Sequence, residues 1–178
     1  MKTEMTNFPS QRIGIVPYSA NKEMKRDLEG RCGPKIFENP DRCGFPDIGS
    51  IMSDSRVIRQ DYFNCDPCEI TVRLVNPRDV GVIRGETFHQ FSMRMKSEYD
   101  LKMLPTGAFP ALCTNFNSRL FQKQTVLTKI FQLKIGNMWV HAVVTLIKGF
   151  NNLPQIQFIQ FDVERELNTD FNYLFMDS

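Results

Sequence analysis

Hydrophobic and polar positions alternate most cleanly in two parts of the chain. Over residues 69–75, Ile70, Val72 and Leu74 fall on one side and Thr71 and Arg73 on the other. A period of two marks a half-buried strand, and Asn76-Pro77 ends it. Further on, Phe131, Leu133 and Ile135 alternate with Gln132 and Lys134 at the end of a strand spanning 127–135. Gly136-Asn137 fits a two-residue type II′ hairpin turn. Met138–Lys148 returns as a β-branched strand, 149–154 turns again, and 155–163 reads as a third strand. The pattern predicts a three-stranded antiparallel meander. Such a meander needs cover on its apolar face. The expected fold is therefore α+β: a twisted antiparallel sheet packed on one or two helices.

Two stretches resist this reading. Across 79–99, Val80, Ile83, Phe88, Phe91 and Met95 approximate a helical stripe, while Phe91, Met93 and Met95 alternate with polar residues as a strand would. The reading adopted is a helix near the start and a strand over 88–96. Residues 100–117 are apolar but interrupted by Pro105, Gly107 and Pro110, which forbid a continuous helix or central strand. They read as an apolar loop containing Met103, Leu104, Phe109 and Leu112. It either tucks over its own core or meets a partner.

Residues 1–50 are punctuated by proline and glycine and read as a flexible arm, leaving 51–178 as a single domain. The arm holds a short apolar cluster, Ile13, Ile15, Val16, Pro17 and Tyr18, and a possible helix over 22–29. An apolar cluster in an arm docks either on its own domain or on another molecule.

Composition changes this picture little. The 178 residues include 42% hydrophobic and 24% charged, ordinary globular usage. Net charge is +2, and no strong basic footprint for nucleic acid emerges from the linear order. The end of the chain is acidic: Asp162, Glu164, Glu166, Asp170 and Asp177 oppose Arg165. Five cysteines, an odd number, and a polar opening segment point to a reducing, intracellular setting. The longest apolar stretch, 138–147, is too short to span a bilayer, so membrane contact is expected to be peripheral.

The candidate chemistry is sparse. Cys65-x-x-Cys68, with Cys32 and Cys43, supplies four thiols that could hold zinc, although their spacing matches no standard module. Phosphate-binding loops, the nucleophile elbow and the HExxH zinc helix are absent from the sequence. The reading is therefore non-enzymatic, without a small-molecule substrate or cofactor.

The order of elements resembles that of a rhabdovirus matrix protein, in particular the small form of plant-infecting cytorhabdoviruses. The resemblance is carried by the proline-punctuated arm, the strand segment 68–75, the aromatic-histidine step Phe88-His89, the apolar segment 104–112 and the terminal sheet around 135–140. It covers residues 60–163. It implies a protein that self-associates, condenses nucleocapsid and contacts membrane peripherally, in the host cytoplasm and the virion. Carried over, Ile13 to Tyr18 and Met103 to Leu112 are the self-association segments, and Lys2, Arg12, Lys22, Lys25 and Arg26 the membrane or nucleocapsid contacts. The alternative is a small intracellular nucleic-acid- or protein-binding accessory domain, with zinc on its cysteines.

Overall fold

The structure is a computed structural model that describes residues 7–16, 18, 21–33, 36, 66–105, 108–127, 130–135 and 137–178. In chain order the elements are β1 (Ser10–Ile15), α1 (Asn21–Cys32), β2 (Cys68–Val75), a 3-10 turn (Pro77–Val80), α2 (Phe88–Tyr99) and β3 (Leu101–Met103). Then come α3 (Phe109–Thr114), β4 (Thr125–Val126), β5 (Phe131–Ile135), β6 (Met138–Lys148), a second 3-10 turn (Phe150–Asn152), β7 (Pro154–Gln160) and β8 (Asn172–Asp177). The fold is mixed α+β, with a curled sheet in the order β1-β2-β8-β4-β6. Among the described strands every pairing is antiparallel except β4–β8.

The C-terminal meander is present. Ala142 of β6 faces Phe131 of β5 on one side and Gln160 of β7 on the other. The β5–β6 register closes at Ile135 opposite Met138, which leaves a two-residue connection.

Side-chain alternation divides the core in two. Ile13, Val72, Leu74, Val144 and Leu174 point to one face, where Met24 and Leu28 of α1 and Phe109 and Leu112 of α3 cover them. Val75, Val143, Tyr173 and Phe175 point to the other, beneath Phe88, Phe91 and Met95 of α2. Helices thus lie on both faces, and the apolar row of β2 falls on the side its period of two implies.

One expectation is corrected and two open readings are narrowed. Residues 88–96 are helix, not strand. Thr87 caps α2 by accepting from the Gln90 amide at 3.3 Å, and the Gln90 side chain accepts from the Thr87 amide at 2.9 Å. This reciprocal capping box fixes the helix start. Phe88, Phe91 and Met95 then share the buried face, and Met93, the residue that suggested alternation, is exposed.

The apolar segment after α2 is internal. Leu104, Phe109 and Leu112 are almost fully buried, and Met103 is half-buried. Pro110 does not prevent a helix here, because it sits in the first turn of α3, where its missing N–H has no intrahelical partner to lose.

The arm is in part an element of the domain. Residues 10–15 pair along β2 over the register Ser10–Arg73 to Ile15–Cys68, which leaves Ile13 and Ile15 each 2% exposed. Residues 21–32 form α1 and pack on α3. Most of residues 34–65 lies outside the described residues, and with them the proposed start of the domain at residue 51.

Candidate functional site

The face of the sheet that carries α2 is not fully covered. Beside the helix lies a groove of about 630 Å³, floored by Val143, Ile159, Phe161, Phe171 and Tyr173. Val82 forms part of one wall. The polar part of the lining comes from Gln160, Asp162, Arg165, Glu166, Asn168 and Thr169.

Both walls are loops, and polar contacts, some part-buried and some exposed, fix them. Arg94 of α2 reaches under the first loop. Its Nε and Nη2 donate to the two Glu86 carboxylate oxygens, each at 2.8 Å. It also donates to the Val80 and Gly81 carbonyls at 2.9 and 3.0 Å, and its guanidinium lies 5.4 Å from the Phe91 ring centroid. The hydrogen bonds to Glu86 hold the Arg94 guanidinium more firmly charged. Gly81 and Gly85 adopt φ of 81° and 75°, which side chains with a Cβ rarely tolerate.

The second loop is tied to the first. The Leu167 amide donates to the Glu86 carbonyl at 2.7 Å, and the Gly85 amide donates to the Glu166 carboxylate at 2.8 Å. Within that loop, the Asp162 and Asn168 side chains accept from the amides of Glu164 and Asp170, two residues on. The Tyr173 hydroxyl donates to the Asn168 carbonyl at 3.1 Å, and burial pushes its pKa up, so it stays a donor. A groove held this way is largely preformed, and its volume falls in the range of ordinary binding clefts.

A second exposed apolar feature lies on the same sheet. At the β5–β6 hairpin, Met138 is 68% and Trp139 42% exposed. Lys134 is paired opposite Trp139, and Gln132 opposite His141. Strand alternation puts Trp139, His141 and Val143 in one row, leading from the hairpin to the groove floor.

The stretches of chain that supply these features differ in charge, although the groove rim itself is mixed, Asp162 and Glu166 with Arg165. Residues 101–161 contain no Asp or Glu and six Lys or Arg, whereas residues 162–178 contain five acidic residues and one basic. The hairpin comes from the first stretch and the groove rim mostly from the second. This polarisation was readable in the sequence, in the acid-free run itself. The groove was not, because its lining comes from residues 82, 143 and 159–173, which only the fold unites.

The residues singled out from sequence are dispersed. Ile13, Ile15, Leu104, Phe109 and Leu112 are core, so they offer no free adhesive surface. Val16 is exposed, and Pro17 lies outside the described residues. Tyr18 is half-buried and donates to Asp27, which also accepts from Arg31 at 2.9 Å. Burial, then this hydrogen bond, pushes the Tyr18 pKa up; hydrogen bonds from Tyr18 and Arg31 hold Asp27 below the usual range.

Of the five cations, Lys2 and the side chain of Lys22 lie outside the described residues. Arg12 pairs with Glu69 at 2.6 Å and Lys25 with Glu29 at 3.2 Å. Arg26 and Tyr18 border a shallow depression of about 450 Å³ that also carries Glu23, Asp27 and Arg31, so its charge is mixed rather than basic.

Among the proposed zinc ligands, Cys32 is buried, its thiol 3.5 Å from the Cys113 carbonyl, while Cys68 is exposed at the start of β2. Cys43 and Cys65 lie outside the described residues. Burial raises the pKa of both Cys32 and Cys113 thiols, which disfavours the thiolate that a metal needs. Among the described residues no group of three His, Cys, Asp or Glu is placed to hold a metal ion, and no helix is long and apolar enough to cross a membrane. No protein-family model, curated protein or solved structure matches this chain.

Proposed function

We propose that this chain is a matrix-type viral structural protein that works by assembly: it associates with itself, condenses a nucleoprotein assembly and touches membrane peripherally. The observation that supports the assembly reading is a groove with both apolar and polar lining and the exposed side chains of Met138 and Trp139 at the β5–β6 hairpin, carried on the same sheet. Exposed apolar groups rimmed by polar residues are the usual form of a protein–protein contact surface. The contact surface in this reading is the groove and hairpin, not the arm cluster and apolar segment, whose side chains are already used in the core. The nucleoprotein and membrane contacts rest on the resemblance in order of elements.

Static light scattering across a concentration series tests the assembly reading. The weight-average mass is expected to rise with concentration well beyond that of one 20.7 kDa chain. A constant monomer mass would reject it.

A further inference from the structure

Resting on the peripheral-membrane part of that reading, we infer that the protein meets an anionic lipid surface with one end of its sheet, through Arg119, Lys123 and Lys148 beside the exposed Leu153.

Hydrogen bonds gather these residues from two separate stretches. Lys148 ends β6, and its ammonium donates to the Gln122 side-chain oxygen at 3.4 Å. The Gln122 side-chain amide donates in turn to the Ser118 carbonyl. Arg119 and Lys123 flank this bridge in sequence, and the Asn117 side chain accepts from the Arg119 amide at 3.1 Å. Leu153 is tied to the residue after Lys148, because its carbonyl accepts from the Gly149 amide at 2.8 Å. Asn151 and Asn152 close the turn between them in left-handed backbone, at φ of 58° and 59°.

The charge at this end is uncompensated. Elsewhere Arg12, Lys25, Arg31, Arg73, Arg78 and Arg94 each face a carboxylate. Among the described residues Arg119, Lys123 and Lys148 face none. The stretch 101–161 that supplies them contains no Asp or Glu. Gathered like charges repel, and an anionic surface relieves that repulsion.

The apolar neighbour decides between anionic partners. Leu153 is 46% exposed, and Asn151 and Asn152 are exposed with it. An aliphatic side chain among cations suits the boundary of headgroups and acyl chains, where the cations meet lipid phosphate and the Leu enters the apolar layer. A single-stranded nucleic acid is gripped instead through exposed rings on which its bases stack. Phe121, two residues from Arg119, is fully buried and stacked on Phe116. Each basic residue near an anionic surface strengthens binding about five-fold. Three of them hold one copy weakly, and an assembly that presents many copies is held firmly.

Flotation of the full chain with vesicles tests this, using phosphatidylcholine alone and phosphatidylcholine carrying phosphatidylserine. The wild type is expected to float with the mixed vesicles only, and less at high salt. Lys123→Gln with Lys148→Gln is expected to bind roughly 30-fold more weakly, at five-fold per cation. Lys102→Gln with Lys134→Gln removes the same charge from the same acid-free stretch. Lys134 is paired with Trp139, nine residues or roughly 30 Å along β6 from Lys148. Lys102 is paired with Met176, at the other end of β8 from Asn172, the partner of Thr125. Charges more than a Debye length of about 8 Å away are screened, so this variant is expected to bind within about three-fold of wild type. Melting temperatures near wild type establish that both variants fold. Equal loss in both variants means that net charge alone acts, and overturns the assignment. So does equal binding to the neutral vesicles. Full binding by the Lys123 and Lys148 variant overturns this surface and leaves the membrane reading in place. A wild type that floats with neither vesicle rejects the membrane reading along with it. A single-stranded RNA oligonucleotide bound in place of vesicles, and lost in the Lys123 and Lys148 variant, assigns the surface to nucleic acid and overturns the lipid partner.

Discussion

Arg94 grips Glu86 with two parallel hydrogen bonds of 2.8 Å beneath the loop that walls the groove, and both side chains are nearly excluded from solvent. Replacing Arg94 with Met leaves the Glu86 carboxylate buried without its countercharge. Breaking one partner of a buried pair costs about 3–5 kcal/mol. The carbonyls of Val80 and Gly81 lose donors in the same step. Urea unfolding of Arg94→Met is therefore expected to show a markedly lower midpoint. A loss below about 1 kcal/mol, the size of an exposed ion pair, would mean that water reaches this pair and the groove wall is not fixed by it.

Ile13 and Ile15 bind the first strand to the rest of the molecule. Each is expected to cost about 2–5 kcal/mol when truncated to Ala, as buried Ile residues do. Deleting residues 1–20 removes β1 entirely and uncovers the edge of β2. The deletion variant should lose most of its cooperative thermal transition. An unchanged transition would return residues 10–15 to the status of a dispensable arm.

Leu104 and Phe109 are fully buried. Leu104→Ser and Phe109→Ser should each lower the melting temperature strongly, because a polar group enters a cavity left by a large apolar one. Circular dichroism melts check this. Variants that melt like the wild type but fail to assemble would restore this segment to a contact role.

The Tyr18–Asp27–Arg31 cluster makes stability depend on pH at both ends. The Asp27 pKa is lowered in the folded chain. Its contribution is therefore complete above the ordinary carboxylate value of about 3.9 and is lost as pH falls through the folded value. The pKa values of Tyr18 and Tyr173 are raised. Their contribution is complete below the ordinary phenol value of about 10 and falls as pH rises beyond it. Urea midpoints against pH should show that Asp27→Asn flattens the acid limb and Tyr18→Phe part of the alkaline limb. An acid limb identical to wild type in Asp27→Asn would contradict the pairing.

How much of this was legible from the chain depends on whether the deciding signal is local. The alternation of Ile70, Val72 and Leu74 belongs to one strand, and so does that of Phe131 to Ile135; both strands are present. The helix over Phe88–Tyr99 was missed because Phe91, Met93 and Met95 fit either period. The local signal that decides it is Thr87-x-x-Gln90, a capping box just before the apolar stripe. Pro110 disguised a short buried helix as loop, since a proline in a first helical turn breaks nothing. Whether Ile13 and Ile15 dock on their own domain stayed open in the sequence because their strand partner, β2, lies more than fifty residues away. The groove has no sequence signature at all, whereas the charge split between residues 101–161 and 162–178 is visible to anyone counting carboxylates.

The most direct measurement is sedimentation velocity of the wild type and of Met138→Ser with Trp139→Ser, over a concentration series at low and high salt. The account predicts species that grow with concentration for the wild type and are absent in the variant at an unchanged melting temperature. A wild type that remains a salt-insensitive monomer, or a variant that assembles as the wild type does, would contradict it.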